Sequence, residues 1–380
     1  MIDKRYDFGM KERIDRYLME MIRLEGSDLH IKANAPVYAR VHGEITPITT
    51  EVITKEEALN FAKEFTRSRF QEMVENKDID LIYVMNEQYR FRLNIFFQVD
   101  GVSAVFRVIP TKIKGIEELR LPDSLKKITD LKHGLVLVTG VTGSGKSTTM
   151  AAILDEINSK RAEHIITIED PVEFVHQNKR SIVNQRSLGS DTISFSHALR
   201  AALREDPDII VVGEMRDLET IEMALHAAET GHLVISTLHT LDAKETINRI
   251  ISVFPTEEQN RIRIILASVL EAIISQRLLK TIKGDRIAAL EILFKTERVA
   301  SLIEENRENE IAQVLKEGQV YGMQSFDQAI LELYQNDIID EEEALRNASN
   351  RGDLGLLIKQ HQDKQKELVG GGSDIIGLKV

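Results

Sequence analysis

The sequence predicts an α/β fold: a parallel sheet with covering helices, preceded by a smaller, strand-rich α+β domain and followed by a helical C-terminal region. Three observations carry that prediction. Short apolar runs at residues 135–139, 165–168, 209–212 and 233–237 read as strands buried on both faces. Segments with helical periodicity at 148–158, 194–204 and 218–229 alternate with them. Residues 26–110 are instead rich in strand signals, with one helical stretch at 56–75 between a first group of strands and a closing hairpin.

With 380 residues, 42% hydrophobic and 29% charged, the chain is long enough for two domains. The first is expected over residues 1–110. Residues 111–132 are mixed and charged, with Gly115 and Pro122 interrupting them, and they read as a linker. The second domain is expected over 133–360. Beyond Asp242 its pattern is almost entirely helical apart from a strand at 286–294. Residues 361–380, which include Gly370-Gly371-Gly372-Ser373, read as a flexible tail.

Composition removes several function classes. The chain has no cysteine, which excludes thiolate zinc sites, disulfides and cysteine nucleophiles. A formal net charge of −12 lacks the counterion-release drive behind most nucleic-acid binding, so no nucleic-acid partner is expected. No run approaches the roughly 20 apolar residues of a membrane span, and the start carries no apolar signal core. A cytosolic location is expected.

The most specific motif is Gly140-Val141-Thr142-Gly143-Ser144-Gly145-Lys146-Ser147, followed by Thr148, which fits G-x-x-x-x-G-K-[ST] between an apolar strand and a helix. Glycines suit a loop that wraps its N–H groups around a phosphate, Lys146 supplies charge to the β- and γ-phosphates, and Ser147 offers a hydroxyl to Mg²⁺. ATP with Mg²⁺ is the expected ligand. Hydrolysis also needs acids at neighbouring strand ends, where such sheets hold ligands. Glu169-Asp170 follows one strand and Gly213-Glu214 another, so a carboxylate there can hold metal through water or orient the attacking water. Gly213 stands where many phosphate-loop enzymes carry a metal-binding aspartate, which favours water activation by Glu214. His239, after a further strand, is placed to contact the γ-phosphate.

Residues 89–109 read as a hairpin around Asp100-Gly101. That turn sets Asn94 opposite Arg107 and makes Arg92 the diagonal neighbour of Arg107 on the same face. Two adjacent cations call for carboxylates or an anion, and a triphosphate is one such anion. Arginines delivered from another subunit raise phosphoryl-transfer turnover by about 10³–10⁵.

Taken together, these motifs resemble the secretion and pilus ATPase superfamily, most closely its twitching-motility retraction branch. The resemblance spans nearly the whole chain and also rests on Gly26-Ser27-Asp28-Leu29-His30, the acidic box at 166–174, Ile182-Val183-Asn184-Gln185-Arg186, residues 198–208, residues 213–220 and the histidine box ending at His239. It implies a PAS-like N-terminal domain, a RecA-like P-loop ATPase core and a hexameric ring working on a pilus platform protein at the inner membrane. It further implies catalytic Glu214, an acidic box containing Glu169, Asp170 and Glu173, and phosphate-contacting Arg92 and Arg107. Two departures stand out. Arg298-Val299-Ala300-Ser301-Leu302-Ile303-Glu304-Glu305 keeps the apolar spacing of the branch's A-I-R-N-L-I-R-E signature but not its internal Arg-Asn pair or second arginine, and Val141 replaces a proline usual in the loop. An accessory subunit docking on a paralogous retraction ATPase is therefore an alternative, as is a pilus-extension or type II secretion ATPase.

Overall fold

The computed structural model describes residues 9–86, 88–109 and 112–370. The chain falls into two units, Met1–Lys112 with Glu173–Val175, and Ile113–Val172 with His176–Val380.

In the first unit β1 (Gly26–Lys32), β2 (Ala35–Val41), β3 (Glu44–Ile53), β4 (Asp78–Val84), β5 (Arg90–Gln98) and β6 (Gly101–Ile109) form an antiparallel sheet in the order β3-β2-β1-β6-β5-β4. Three helices, α1 (Gly9–Arg23), α2 (Lys55–Thr66) and α3 (Phe70–Asn76), bury apolar residues in the same core, where Phe61, Phe91 and Phe106 are fully enclosed. The sequence reading leaves α1 unassigned, yet Met10, Ile14, Tyr17, Leu18 and Met21 recur at helical spacing and are all buried. The α2 helix starts where Thr54 and Glu57 form a capping box.

The β5–β6 hairpin departs from the expected register. Gln98 pairs with Gly101, so the loop is Val99-Asp100; Arg92 lies directly opposite Arg107, and Asn94 faces Val105. Gly101 sits at φ 130°, a conformation open to glycine, and it serves as the first residue of β6 instead of the second residue of the turn. The Gln98 side chain closes the loop by accepting the Asp100 N–H at 2.9 Å.

In the second unit β7 (Gly134–Thr139), β8 (His164–Glu169), β9 (Ile182–Ser187), β10 (Ile209–Val212), β11 (Leu233–Leu238), β12 (Leu270–Lys280) and β13 (Arg286–Phe294) lie in the order β13-β12-β7-β11-β10-β8-β9. All pairings are parallel except β12 with β13. Alternation along β7 sends Leu135 and Leu137 to one face and Val136 and Val138 to the other. The first face packs against α5 (Phe195–Ala202), α6 (Leu218–Glu229), α7 (Ala243–Ser252), α8 (Gln259–Val269) and α9 (Glu297–Glu304), and the second against α4 (Lys146–Lys160). The remaining helices are α10 (Ile311–Glu317), α11 (Phe326–Gln335), α12 (Glu341–Asn347) and α13 (Arg351–Gly370).

Three expectations need correction. The linker expected over 111–132 is packed in its described part: Ile116, Leu121, Leu125 and Ile128 are buried on the α4 side, the last two from a 3-10 helix, Asp123–Asp130, that starts just after Pro122. Residues 270–280, expected in a helical region, form β12. Their Leu, Glu, Ala, Gln and Arg content suits a helix, but hydrogen bonding to β7 on one side and β13 on the other overrides that preference. The chain from 361 is helical as far as Gly370, with Leu354 and Ile358 anchoring α13 in a fourth apolar cluster; residues 371–380 lie outside the described residues.

Candidate nucleotide site

Because β7, β8, β10 and β11 run in one direction, their carboxyl ends share one edge of the sheet. The chain leaves β7 at Gly140, loops, and enters α4 at Lys146. Gly140, Gly143 and Gly145 have φ of 141°, 79° and 90°, so the loop follows a path that side chains would obstruct. No side chain caps α4, whose first N–H groups therefore face the loop's hollow. Lys146 is buried and its Nζ donates to the carbonyls of Gly140 at 2.8 Å and Val141 at 3.1 Å, which positions the cation across the loop's mouth. The Ser144 hydroxyl is buried without a hydrogen-bonding partner.

Glu214 stands just past β10. One of its oxygens accepts from Arg216 Nε at 2.7 Å and lies 3.1 Å from His239 Nε2. Burial pushes its carboxyl up, but Arg216 and His239 outweigh burial and hold it below the usual range, so it is ionised at neutral pH. His239 Nδ1 in turn lies 3.4 Å from the Thr142 hydroxyl in the phosphate loop. A continuous polar path therefore joins Glu214 to the loop. Glu169, at the end of β8, accepts from Thr167 at 2.6 Å and Gln185 at 3.1 Å, and Asp170 beside it is exposed. Glu173 belongs to the first unit, so the acidic box is divided between units.

The glycine at 213 has a steric cause. A Cβ there would lie 3.1 Å from both the Ile168 carbonyl oxygen and Glu169 Cα, while the Gly213 N–H donates to that carbonyl at 2.7 Å. An aspartate at 213 would press on the backbone that carries Glu169.

Arg92 and Arg107 belong to the first unit, and each has its own carboxylate. Arg107 Nε donates to Asp28 at 2.7 Å, and Arg92 lies 3.7 Å from Asp80. Asp28 is buried; burial raises its carboxyl, but hydrogen bonds from Ser27 and Arg107 bring it below its ordinary value. Arg216 and Gln185, which hold the two site glutamates, were not given roles from sequence. A side chain two residues past an acid, or on a neighbouring strand, gives no signal until the strand ends are placed.

The residue types fit a magnesium nucleotide: a glycine loop open to an anion, a cation across it, and a serine hydroxyl at the second helical residue. A family model described as type II/IV secretion system protein matches residues 5–351. A type IV pilus retraction ATPase of Pseudomonas aeruginosa, PilT, is 45% identical over 326 residues, 85% of this chain and 94% of the relative. The type IV pilus ATPase PilU of the same organism is 39% identical over 350 residues, covering 91% of each. A crystal structure of the pilus retraction motor PilT with bound ADP matches with a TM-score of 0.84 at 43% identity, over 90% of this chain and 98% of that one. Among the described residues no helix is long and apolar enough to cross a membrane.

Proposed function

The chain belongs to the type II/IV secretion system protein family, and from that premise we propose that it is an ATP-hydrolysing motor that retracts type IV pili and so drives twitching motility. The observation that carries this reading is the polar path from Glu214 through His239 to Thr142, which links an ionised carboxylate to an uncapped phosphate loop. The RecA-like core and the ADP seen in the matched structure support nucleotide use.

In this mechanism the N–H groups of Gly143, Ser144, Gly145 and Lys146 cradle the phosphates, Gly140 and Thr142 shape the loop, and Lys146 exchanges its loop carbonyls for phosphate oxygens. Ser147, with Thr148 next to it, would hold Mg²⁺, which supplies neutralisation of the charge developing between the β- and γ-phosphates. Glu214 orients a water and takes its proton as the water oxygen bonds to the γ-phosphorus and the bond to the ADP oxygen breaks. His239 reports the γ-phosphate to Glu214. Glu169 and Asp170, with Glu173 of the acidic box, would supply carboxylate oxygens to Mg²⁺ through water. Arg92 and Arg107 of a neighbouring subunit meet the γ-phosphate; Arg92 leaves an exposed pair with Asp80 at little cost, whereas Arg107 leaves the buried Asp28, which keeps Ser27 at 2.7 Å and Arg40 at 4.0 Å, at a larger one.

The assembly proposed is a homohexamer at the cytoplasmic face of the inner membrane, turning a pilus platform protein. The relative described as a retraction ATPase is 45% identical, against 39% for the type IV pilus ATPase PilU of the same organism, which supports the retraction reading. The test is ATPase turnover and oligomeric mass of the purified chain beside Glu214→Gln and Lys146→Ala. We expect turnover by a ring, a loss of about 10²–10⁴-fold in kcat for Glu214→Gln with nucleotide still bound, and loss of binding for Lys146→Ala. A folded wild-type ring without turnover would replace the motor with the accessory reading.

A further inference from the structure

We propose that Gln276 of β12 is a positioning residue for the nucleotide site, the strut against which the phosphate loop is set; this rests on the nucleotide reading above. β7 ends at Thr139, paired with Ser275, and β12 continues past that point. Gln276 is thus the first residue beyond the paired stretch, level with the departing loop. Its side chain, almost fully buried, makes two hydrogen bonds with that segment. Nε2 donates to the Ser144 carbonyl at 2.6 Å, and Oε1 accepts from the Thr149 hydroxyl at 2.7 Å on the first turn of α4.

The amide therefore spans the loop and the helix that together cradle the phosphate, fixing the angle between them. An adjacent bond, from the Thr139 hydroxyl to Ser275 Oγ at 2.9 Å, ties the strand ends where the loop begins. The loop's own glycines respond to Gln276. A Cβ on Gly140 would come within 2.5 Å of the Gln276 carbonyl oxygen, and one on Gly145 within 2.7 Å of Gln276 Nε2. Gly140 is thus required by the Gln276 backbone as well as by its φ angle, and a side chain at 145 would displace the Gln276 amide.

A glutamine suits the position because it offers one donor and one acceptor at the end of a neutral side chain. Ser144 presents a carbonyl, which needs the donor; Thr149 presents a hydroxyl, which then gives its proton to the acceptor. Loss of the amide leaves a buried carbonyl and hydroxyl without partners, and the loop shifts to find others. Since the loop contacts the β-phosphate in both the bound and reacting states, the effect falls on binding more than on the chemical step.

The test uses the full chain in its assembled form. Affinity for N-methylanthraniloyl-ADP, kcat and KM for ATP, and melting without nucleotide are measured for wild type, Gln276→Met, Thr149→Val, the double variant and Lys146→Ala. Methionine matches glutamine in length and removes both hydrogen bonds. Gln276→Met should weaken the ADP analogue and raise KM by about tenfold or more, with kcat within about threefold of wild type. Thr149→Val should weaken binding less, and the double variant should be no worse than Gln276→Met, because the contact that Thr149→Val removes is already lost there. Unchanged affinity in Gln276→Met, or a fall in kcat at constant KM, overturns the proposal. If Gln276→Met does not assemble, Thr149→Val decides: raised KM supports the strut, and wild-type KM overturns it. A wild-type chain that does not bind the analogue sinks the nucleotide reading itself; binding lost in Lys146→Ala but kept in Gln276→Met sinks only the role of Gln276.

Discussion

Glu291 gives the sharpest stability prediction. It lies on β13, opposite Ser275, only 7% exposed, with Oε1 accepting the Ala243 N–H at 2.9 Å where α7 begins. Burial raises its carboxyl from an ordinary 4.5 to about 7; the Ala243 N–H and Arg277 pull it down, while Asp242 and Asp327 push it further up. Between pH 4.5 and about 7 the folded chain holds a proton there that the unfolded chain has released, so stability falls as pH rises through that window and is level above it. Each pH unit is worth about 1.4 kcal/mol, so the whole interval amounts to about 3 kcal/mol. Glu291→Gln keeps the acceptor for Ala243 and removes the titration. Urea unfolding of wild type and variant, at intervals from pH 4.5 to 8, isolates the effect because titrating groups that do not interact with Glu291 cancel in the difference. The two should be of similar stability near pH 4.5. The variant should gain on wild type by about 3 kcal/mol by pH 8. A difference that stays constant over that range refutes the argument.

Two further outcomes test the site. Gly213→Ala places a Cβ 3.1 Å from the Ile168 carbonyl and Glu169 Cα, so the two strand ends must part; we expect a loss of about 1–3 kcal/mol in urea and a reduced kcat with nucleotide still bound, and wild-type kcat would show that the strand spacing does not matter to the chemistry. The Arg92→Ala/Arg107→Ala double variant should lose turnover by about 10³-fold while retaining nucleotide, measured as steady-state phosphate release beside analogue binding; normal hydrolysis would remove both arginines from the mechanism.

Much of the second unit was legible from sequence because its signals are local. The apolar runs at β7, β8, β10 and β11 have no competing reading, and the loop from Gly140 to Ser147 carries its own confirmation in the strand before it and the helix after it. What was missed depends on partners distant in the chain. β12 reads as helix in isolation and becomes a strand only between β7 and β13, so Gln276 could not be connected with the loop more than a hundred residues before it. The hairpin pairing of Arg92 with Arg107 turned on whether Gly101 closes the turn or opens the strand, a choice the Asp-Gly pair leaves open. Asp28 is part of a segment noted for resemblance alone; its role as the counter-charge of Arg107 required the pairing of β1 with β6.

The altered segment at residues 298–305 can be judged by which side of α9 the changes occupy. Val299, Leu302 and Ile303 are buried in the core shared with α8, so the positions that keep the apolar spacing are those that hold the helix in place. Arg298, Ser301, Glu304 and Glu305 are exposed, and Arg298 is paired with Glu317 of α10 at 2.7 Å. Of the departures from the retraction signature, Arg298, Ser301 and Glu304 thus lie on the outward side, while Ala300, at the signature's first arginine, is half-buried against the same core. Changes on an exposed side leave the packing of the nucleotide edge intact, because that edge is built from β7, β8, β10 and β11 and braced from β12. Their consequence falls on whatever meets that face of α9, apart from the residues proposed for hydrolysis.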